Sequence, residues 1–202
     1  MSATSTPADS GRHSVSFTVN ACNSDAPFIE STLRHMLPAL GFPFAERFIT
    51  YDPGRQEGKY AERAVGDRAT MEAIFQRLLD ERVIDRVDVV PWNQPEQQRI
   101  LGTYFGGTQV DLKDFSGAPI YQYLYALDRC EGTYVFHADS DMLFHRAVDE
   151  SWIDQGIELM QQEPRVVVTC PRAGPPQARN WLERLAGRSF EPTPTEKWRR
   201  VD

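Results

Sequence analysis

Asp139-Ser140-Asp141 is the stretch of this sequence whose residue types could hold a reacting ligand. Two acids one residue apart close an apolar run, Tyr134-Val135-Phe136, with His137 and Ala138 between, and Met142-Leu143-Phe144 follow at once. A run of that length and composition predicts a buried strand. Carboxylates at the end of a core element are costly to bury without partners. Side chains two apart on an extended segment share a face, so both carboxylates are expected to aim at one point. Converging oxygen donors suit a hard divalent cation, Mn2+ or Mg2+, that also grips a phosphate. Most acid-x-acid triplets are solvated turns; the apolar sequence on both sides sets this one apart. The expectation is a metal–diphosphate site at the mouth of an α/β sheet, with Asp139 and Asp141 as metal ligands.

The elements that must position these acids follow from periodicity and punctuation. Residues 15–21 (VSFTVNA) form a β-branched run, the predicted first strand. Ser24 or Asp25 is a candidate helix cap with Pro27 in the first turn. Phe28, Ile29, Thr32, Leu33, Met36, Leu37 and Leu40 then share one helical stripe, stopped by Gly41 and Pro43. Residues 46–51 predict a second strand ending at the turn Asp52-Pro53-Gly54, and a polar loop runs on to Gly66. Met71, Ile74, Phe75, Leu78 and Leu79 mark a second helix, and residues 87–91 a third strand. Residues 93–117, with four glycines, read as irregular. Ile120, Tyr121, Leu124, Leu127 and Cys130 mark a third helical stripe, and residues 150–162 another helix. Residues 165–170 (RVVVTC) predict a strand buried on both faces.

Strands alternating with helices of this length predict an α/β fold, a mostly parallel central sheet with helices on both faces. Ligands of such sheets sit beyond the carboxyl ends of the strands. Here those ends carry residues 20–23, Asp52 and residues 139–141.

Bulk properties narrow the partners. A chain of 202 residues is enough for one domain with its own core. A net charge of −7 argues against nucleic acid or an anionic membrane surface as the main partner. Only Lys59, Lys113 and Lys197 are lysines, so arginine supplies most of the positive charge. Cys22, Cys130 and Cys170 have no C-x-x-C spacing, which favours reduced thiols and a cytoplasmic location over a zinc site or a disulfide framework. No run of about 18 apolar residues is present, so no membrane span is expected. Residues 1–13 read as a disordered leader without the apolar core of a signal peptide.

Four stretches, taken in order, resemble the donor-binding half of a GT-A-fold glycosyltransferase of the family-2 type. They are residues 15–37 (VSFTVNACNSDAPFIESTLRHML), residues 48–54 (FITYDPG), the helix 118–131 running into Glu131-Gly132, and residues 134–143 (YVFHADSDML). The resemblance spans residues 14–172 and implies a GT-A-like (Rossmann-like) nucleotide-sugar-binding domain there. It also implies that Asp141 ligates the metal, with Asp139 a second or water-mediated ligand or a ribose contact. The turn Asn20-Ala21-Cys22-Asn23 would pack on the base, Asp52 would bond the base or ribose, and Ser140 would join the nucleotide-binding set. Cys22 stands where the family usually has an aromatic residue. Residues 119–123 (PIYQY) replace an A-R-N-like sequence, leaving Lys113 and Arg129 as candidates for a further donor contact.

The activity implied is transfer of a sugar from a nucleotide-diphosphate sugar to an unknown acceptor. A cation at Asp139 and Asp141 would neutralise charge growing on the leaving diphosphate. An inverting enzyme also needs a carboxylate within about 2.6–3.2 Å of the acceptor hydroxyl. Glu183, Glu191 and Glu196 read as solvated tail acids instead. Residues 173–202 are expected to be a short segment, an incomplete acceptor region. Trp181, Leu182 and Leu185 there read as a helix on the sheet, an acceptor contact or the start of a further segment, and Trp198 calls for an oligomer or partner to cover it. The alternative is a non-catalytic or truncated nucleotide-binding domain of the same fold. A haloacid-dehalogenase-type phosphotransferase would need its acidic motif on the first strand and a Thr or Val where Leu143 stands. A sugar nucleotidyltransferase would need a Gly-rich opening after the first strand.

Overall fold

The computed structural model describes residues 13–54, 58, 66–108, 110–145, 151–171 and the backbone of 198–199. The expected leader, save residue 13, and the expected acceptor region, save that backbone pair, lie outside the described residues, as does most of the loop expected before Gly66. The chain divides into two compact units, residues 1–145 and 146–202.

In the first unit the strands are β1 (Val15–Cys22), β2 (Glu46–Asp52), β3 (Arg86–Val89) and β4 (Tyr134–Asp139). The helices are α1 (Ile29–Leu40), α2 (Arg68–Asp80), α3 (Gln94–Phe105) and α4 (Ile120–Arg129). The strands form one all-parallel sheet in the order β3-β2-β1-β4. From β1 to β3 the chain moves one way across the sheet, then returns past β1 to β4. Right-handed crossovers therefore place α1 and α2 on one face and α3 and α4 on the other. The reversal at β1 makes the crevice between β1 and β4 the place where a ligand is expected.

Parallel register gives each residue the same face as its partner across the ladder. Val15, Phe17, Val19 and Ala21 of β1 join Ile49 and Tyr51 of β2 and Phe136 and Ala138 of β4 on the α1/α2 face. That face is apolar: Phe17 packs on Phe136 and Phe44, and Tyr51 meets Phe75 of α2 edge-on at 5.0 Å. The α4 face is mostly polar, with Ser16, Thr18, Asn20 and Cys22 beside Glu46, Thr50 and Asp52 and beside His137 and Asp139, broken by Phe48 and Val135.

A glutamate latch closes the lower end of that polar face. Glu46 accepts hydrogen bonds from the Ser16 hydroxyl (2.5 Å), the Glu131 amide (2.7 Å) and the Arg86 guanidinium. Arg86 also reaches Asp88 and the Arg129 carbonyl and lies over the Phe48 ring. Gly132 is a glycine because a Cβ there would stand 2.6 Å from the Ser16 backbone nitrogen. The turn into β4 is thereby pressed against β1.

Three expectations need correction. Residues 93–117 are not all irregular, because α3 occupies 94–105. Its N-cap, Asn93, accepts from the Glu96 amide, and Gly106 ends it in the left-handed conformation. Helix α1 begins at Ile29 without a side-chain cap; Asp25 instead closes a one-turn 3₁₀ segment, Asn23–Asp25, by accepting from the Cys22 amide. In the second unit α5 (Trp152–Gln162) is present, but residues 165–170 are not a buried strand. Val167 and Val168 are exposed, and the Val166 amide turns back to the Glu163 carbonyl. A strand needs a neighbour for its hydrogen bonds. Among the described residues only β6 (Trp198–Arg199) pairs here, antiparallel with β5 (Cys170–Pro171).

Candidate functional site

The carboxyl ends of β1, β2 and β4 and the start of α4 enclose a cleft of about 210 Å³. Asn20, Ala21, Cys22, Asp52, Asp139, Ser140 and Asp141 all line it, so the structure brings together seven of the eight residues singled out from the sequence. Asn23 is not on the wall. Its amide group is spent as a brace, donating to the Pro53 carbonyl (3.1 Å) and accepting from the Tyr51 hydroxyl. Asn23 thus ties the turn after β1 to the end of β2. Gly66 packs against that turn so closely that a Cβ would fall 1.6 Å from the Asn23 carbonyl oxygen.

Strand parity accounts for much of the convergence. Asn20, Cys22, Asp52 and Asp139 sit on the α4 face through the ladders Asn20↔Asp139 and Cys22↔Asp52. The alternation expected to align Asp139 with Asp141 does not extend that far. β4 ends at Asp139, and the Met142 amide donates to the Asp139 carbonyl (3.2 Å), so Ser140 and Asp141 lie in a turn. Ser140 is buried, with its carbonyl held by Thr32 of α1 at 2.7 Å, whereas Asp141 is exposed. The two acids reach one cleft by a turn, not by pleat.

Each inner carboxylate has donors. Asp52 Oδ1 accepts from the Gly54 amide (2.8 Å) and from the Trp92 indole (2.9 Å). Asp139 Oδ1 accepts from the Tyr123 hydroxyl at 2.9 Å. The His137 ring leans on Tyr123, with centroids 4.8 Å apart, and its Nε2 is 3.8 Å from the same oxygen. Asp139 is held below the ordinary carboxylate range, by the His137 ring first; partial burial pushes the other way, and the Tyr123 hydroxyl adds to the lowering. At 3.8 Å the His137 contribution is that of a nearby charge when the ring is protonated, because the separation is too long for a hydrogen bond. Burial, first, and then Asp25 push the Cys22 thiol up to about 11, so it stays protonated at neutral pH and is not a nucleophile.

Asn20 carries the least satisfied side chain on the wall. Its Oδ1 accepts from the Thr50 hydroxyl (2.5 Å), but its Nδ2 is buried without an acceptor, as are Thr18 Oγ1 and His137 Nε2. Buried polar groups are nearly always partnered, by a bound group if not by protein.

Sequence reasoning passed over Gln122 and Tyr123 and left Lys113 and Arg129 unplaced. Gln122, buried, donates to the carbonyls of Ala21 (3.1 Å) and Thr50 (3.0 Å) and so stitches α4 to the ends of β1 and β2. Lys113 is on the cleft wall, whereas Arg129 pairs with Asp88 at the far end of α4. Gln122 escaped notice because the buried face of α4 is Tyr121, Gln122, Tyr125 and Ala126, whereas the expected stripe ran through Leu127, which is exposed.

Among the described residues no three His, Cys, Asp or Glu side chains gather as a ready ligand cluster for a metal. No helix among them is long and apolar enough to cross a membrane. No family model matches the chain, and no curated protein or solved structure matches it.

Proposed function

We propose that this chain binds a nucleotide-diphosphate sugar together with Mn2+ or Mg2+ and transfers the sugar to an acceptor. The observation that carries the reading is the meeting of Asn20, Asp52, Asp139 and Asp141 in one cleft at the reversal point of a parallel sheet. Two carboxylates without a third suit Mg2+ or Mn2+, which commonly takes one or two protein carboxylates and completes its shell with phosphate oxygens and water. The residues present therefore fit a cation shared with a ligand better than a cation held by the protein alone. The unpartnered Asn20 amide fits an acceptor oxygen on that ligand.

In this reading the bond between the anomeric carbon and the diphosphate oxygen breaks as an acceptor hydroxyl oxygen bonds to that carbon and gives up its proton to a base, and the departing diphosphate gains charge. The cation, when bound, supplies electrostatic stabilisation of that charge. Asp139, whose Oδ1 accepts from Tyr123, would contribute its carboxylate to the cation. Asp141, exposed at the rim, is the acid best able to meet a solvated cation as it enters. Asp52, fixed by Trp92 and Gly54, offers its second oxygen to a base or ribose hydrogen.

The test is thermal stabilisation by UDP or GDP with and without Mn2+, in wild type and Asp141→Asn. The expected result is a rise in melting temperature that needs both nucleotide and Mn2+ and is lost in the variant. A flat response to both nucleotides would remove the reading. Slow hydrolysis of a nucleotide-sugar, lost in the same variant, separates an enzyme from a domain that only binds.

A further inference from the structure

The cleft carries more negative charge than an anionic ligand can tolerate without help. Asp25, Asp52, Asp139 and Asp141 all line it, and the one cationic side chain among the described lining residues is Lys113. A divalent ion at the β4 end offsets part of that charge. A nucleoside diphosphate brings about three negative charges of its own at neutral pH, its terminal phosphate having a second pKa near 6.

The loop holding Lys113 is built to keep it in place. Leu112 packs against the core formed by Val90, Ile100, Tyr121 and Tyr125, and its carbonyl accepts from the Tyr121 amide at 3.0 Å. On the other side Asp114 Oδ1 collects three donors: the Ser116 amide (2.8 Å), the Ser116 hydroxyl (2.7 Å) and the Ala118 amide (2.8 Å). Two backbone bonds, Asp114 to Ala118 and Gly117 to Asp114, close the same turn. Gly117 takes φ 88°, which a side chain would resist. Lys113 is thus fixed through its backbone on both sides. Its Nζ stands 5.8 Å from the Trp92 ring, whose indole nitrogen donates to Asp52.

We infer that Lys113 is the diphosphate-selecting residue of this cleft: its ammonium meets the phosphates from the α4 side and makes the site prefer a nucleoside diphosphate to the bare nucleoside. The inference rests on the nucleotide-sugar reading and adds to it the group that recognises phosphate apart from the metal. An ammonium is a compact point charge that contacts phosphate oxygens without demanding the planar geometry of a guanidinium. The Trp92 ring attracts that ammonium by a cation–π contact near the outer limit of its range.

Titration calorimetry of the full chain in Mn2+ with UDP and GDP, and with uridine and guanosine as controls, tests this in wild type, Lys113→Met and Lys113→Arg. A hydrogen bond to a charged group predicts that Lys113→Met weakens the preferred diphosphate on the order of 10- to 100-fold. Affinity for the matching nucleoside should not change, Lys113→Arg should recover most of the loss, and the wild-type affinity should fall more steeply with salt than that of Lys113→Met. If wild type binds a diphosphate and Lys113→Met binds it equally well, the inference fails and the nucleotide reading stands. If wild type binds neither diphosphate, both fail together. If Lys113→Met loses nucleoside and diphosphate alike while melting as wild type does, Lys113 serves the base or ribose and the phosphate assignment is wrong.

Discussion

Replacing Glu46 by glutamine should destabilise the first unit more than any exposed charge change. Glu46 is 9% exposed and holds Ser16, Glu131 and Arg86 together, so it joins β1, β2, β3 and the turn into β4. Glutamine keeps the shape but turns an acceptor oxygen into an NH2 group facing either the guanidinium or the other two donors. Losing one partner of a buried ion pair costs about 3–5 kcal/mol, chiefly because the remaining charge stays desolvated. Arg86 here retains Asp88 and the Arg129 carbonyl, and its side chain is 28% exposed. A loss somewhat below that range, about 2–3 kcal/mol, is therefore expected. For a domain of this size that is a fall in melting temperature of roughly 4–12 °C. The pH dependence has a definite sign. Burial alone would raise the Glu46 carboxyl, but Arg86, the Glu131 amide and Ser16 outweigh it and hold it below the ordinary range. A depressed folded-state pKa gives stability that is complete above the unfolded value and is lost as pH falls through the folded one. The gap between wild type and Glu46→Gln, read by calorimetric melting, should be full at neutral pH and close in acid. Arg68→Gln, which breaks the exposed Arg68–Glu72 pair, is the control and should melt with wild type. Should Glu46→Gln melt alongside that control at neutral pH, the latch is not what holds these four segments.

Two further substitutions probe how the site is supported. Gly132→Ala places a methyl 2.6 Å from the Ser16 backbone nitrogen, where no flexible side chain can move aside. A loss of about 1–3 kcal/mol in denaturant unfolding is expected, and a neutral result would refute the close approach. Tyr123→Phe removes the hydroxyl that donates to Asp139, so the Asp139 carboxyl should move up towards the ordinary range, read by carboxyl-carbon NMR titration. The variant should be less stable than wild type at neutral pH, with the difference vanishing in acid; an unmoved titration would show that His137 alone sets Asp139.

The sheet was legible because its strands are short apolar or β-branched runs separated by clear turn signals. The face that carries the cleft was legible as well, since parity within a strand survives folding when the register is parallel. Asn20 and Asp139 are ladder partners, and so are Cys22 and Asp52. Parity stops where the strand stops. Asp141 and Asn23 lie past the strand ends, and their placement depends on a turn bond from Met142 and on a tyrosine of the neighbouring strand β2. Helix α3 was obscured for a different reason. Its cap Asn93, its early Pro95 and its stop Gly106 are all plain, but Ile100 is its one buried residue, so no apolar stripe joins start to stop. The run 165–170 failed in the opposite sense: β-branched residues mark a capacity for pairing, and pairing needs a partner that composition cannot supply.

β1 departs from the composition usual for its position. Central parallel strands are normally apolar on both faces, because helices cover both. β1 obeys this on the face of Val15, Phe17, Val19 and Ala21 and breaks it on the face of Ser16, Thr18, Asn20 and Cys22. At the lower end the breach is repaid within the fold, since Ser16 serves Glu46 and Gly132. At the upper end it is not: Thr18, Asn20 and the neighbouring His137 keep buried polar atoms without partners. A sequence selected for stability alone would replace these by valine or alanine, because an unmet buried donor costs about 1–3 kcal/mol. Of the three, Asn20 lines the cleft beside its ladder partner Asp139, and its unmet amide is the pattern expected where a partner arrives with a ligand.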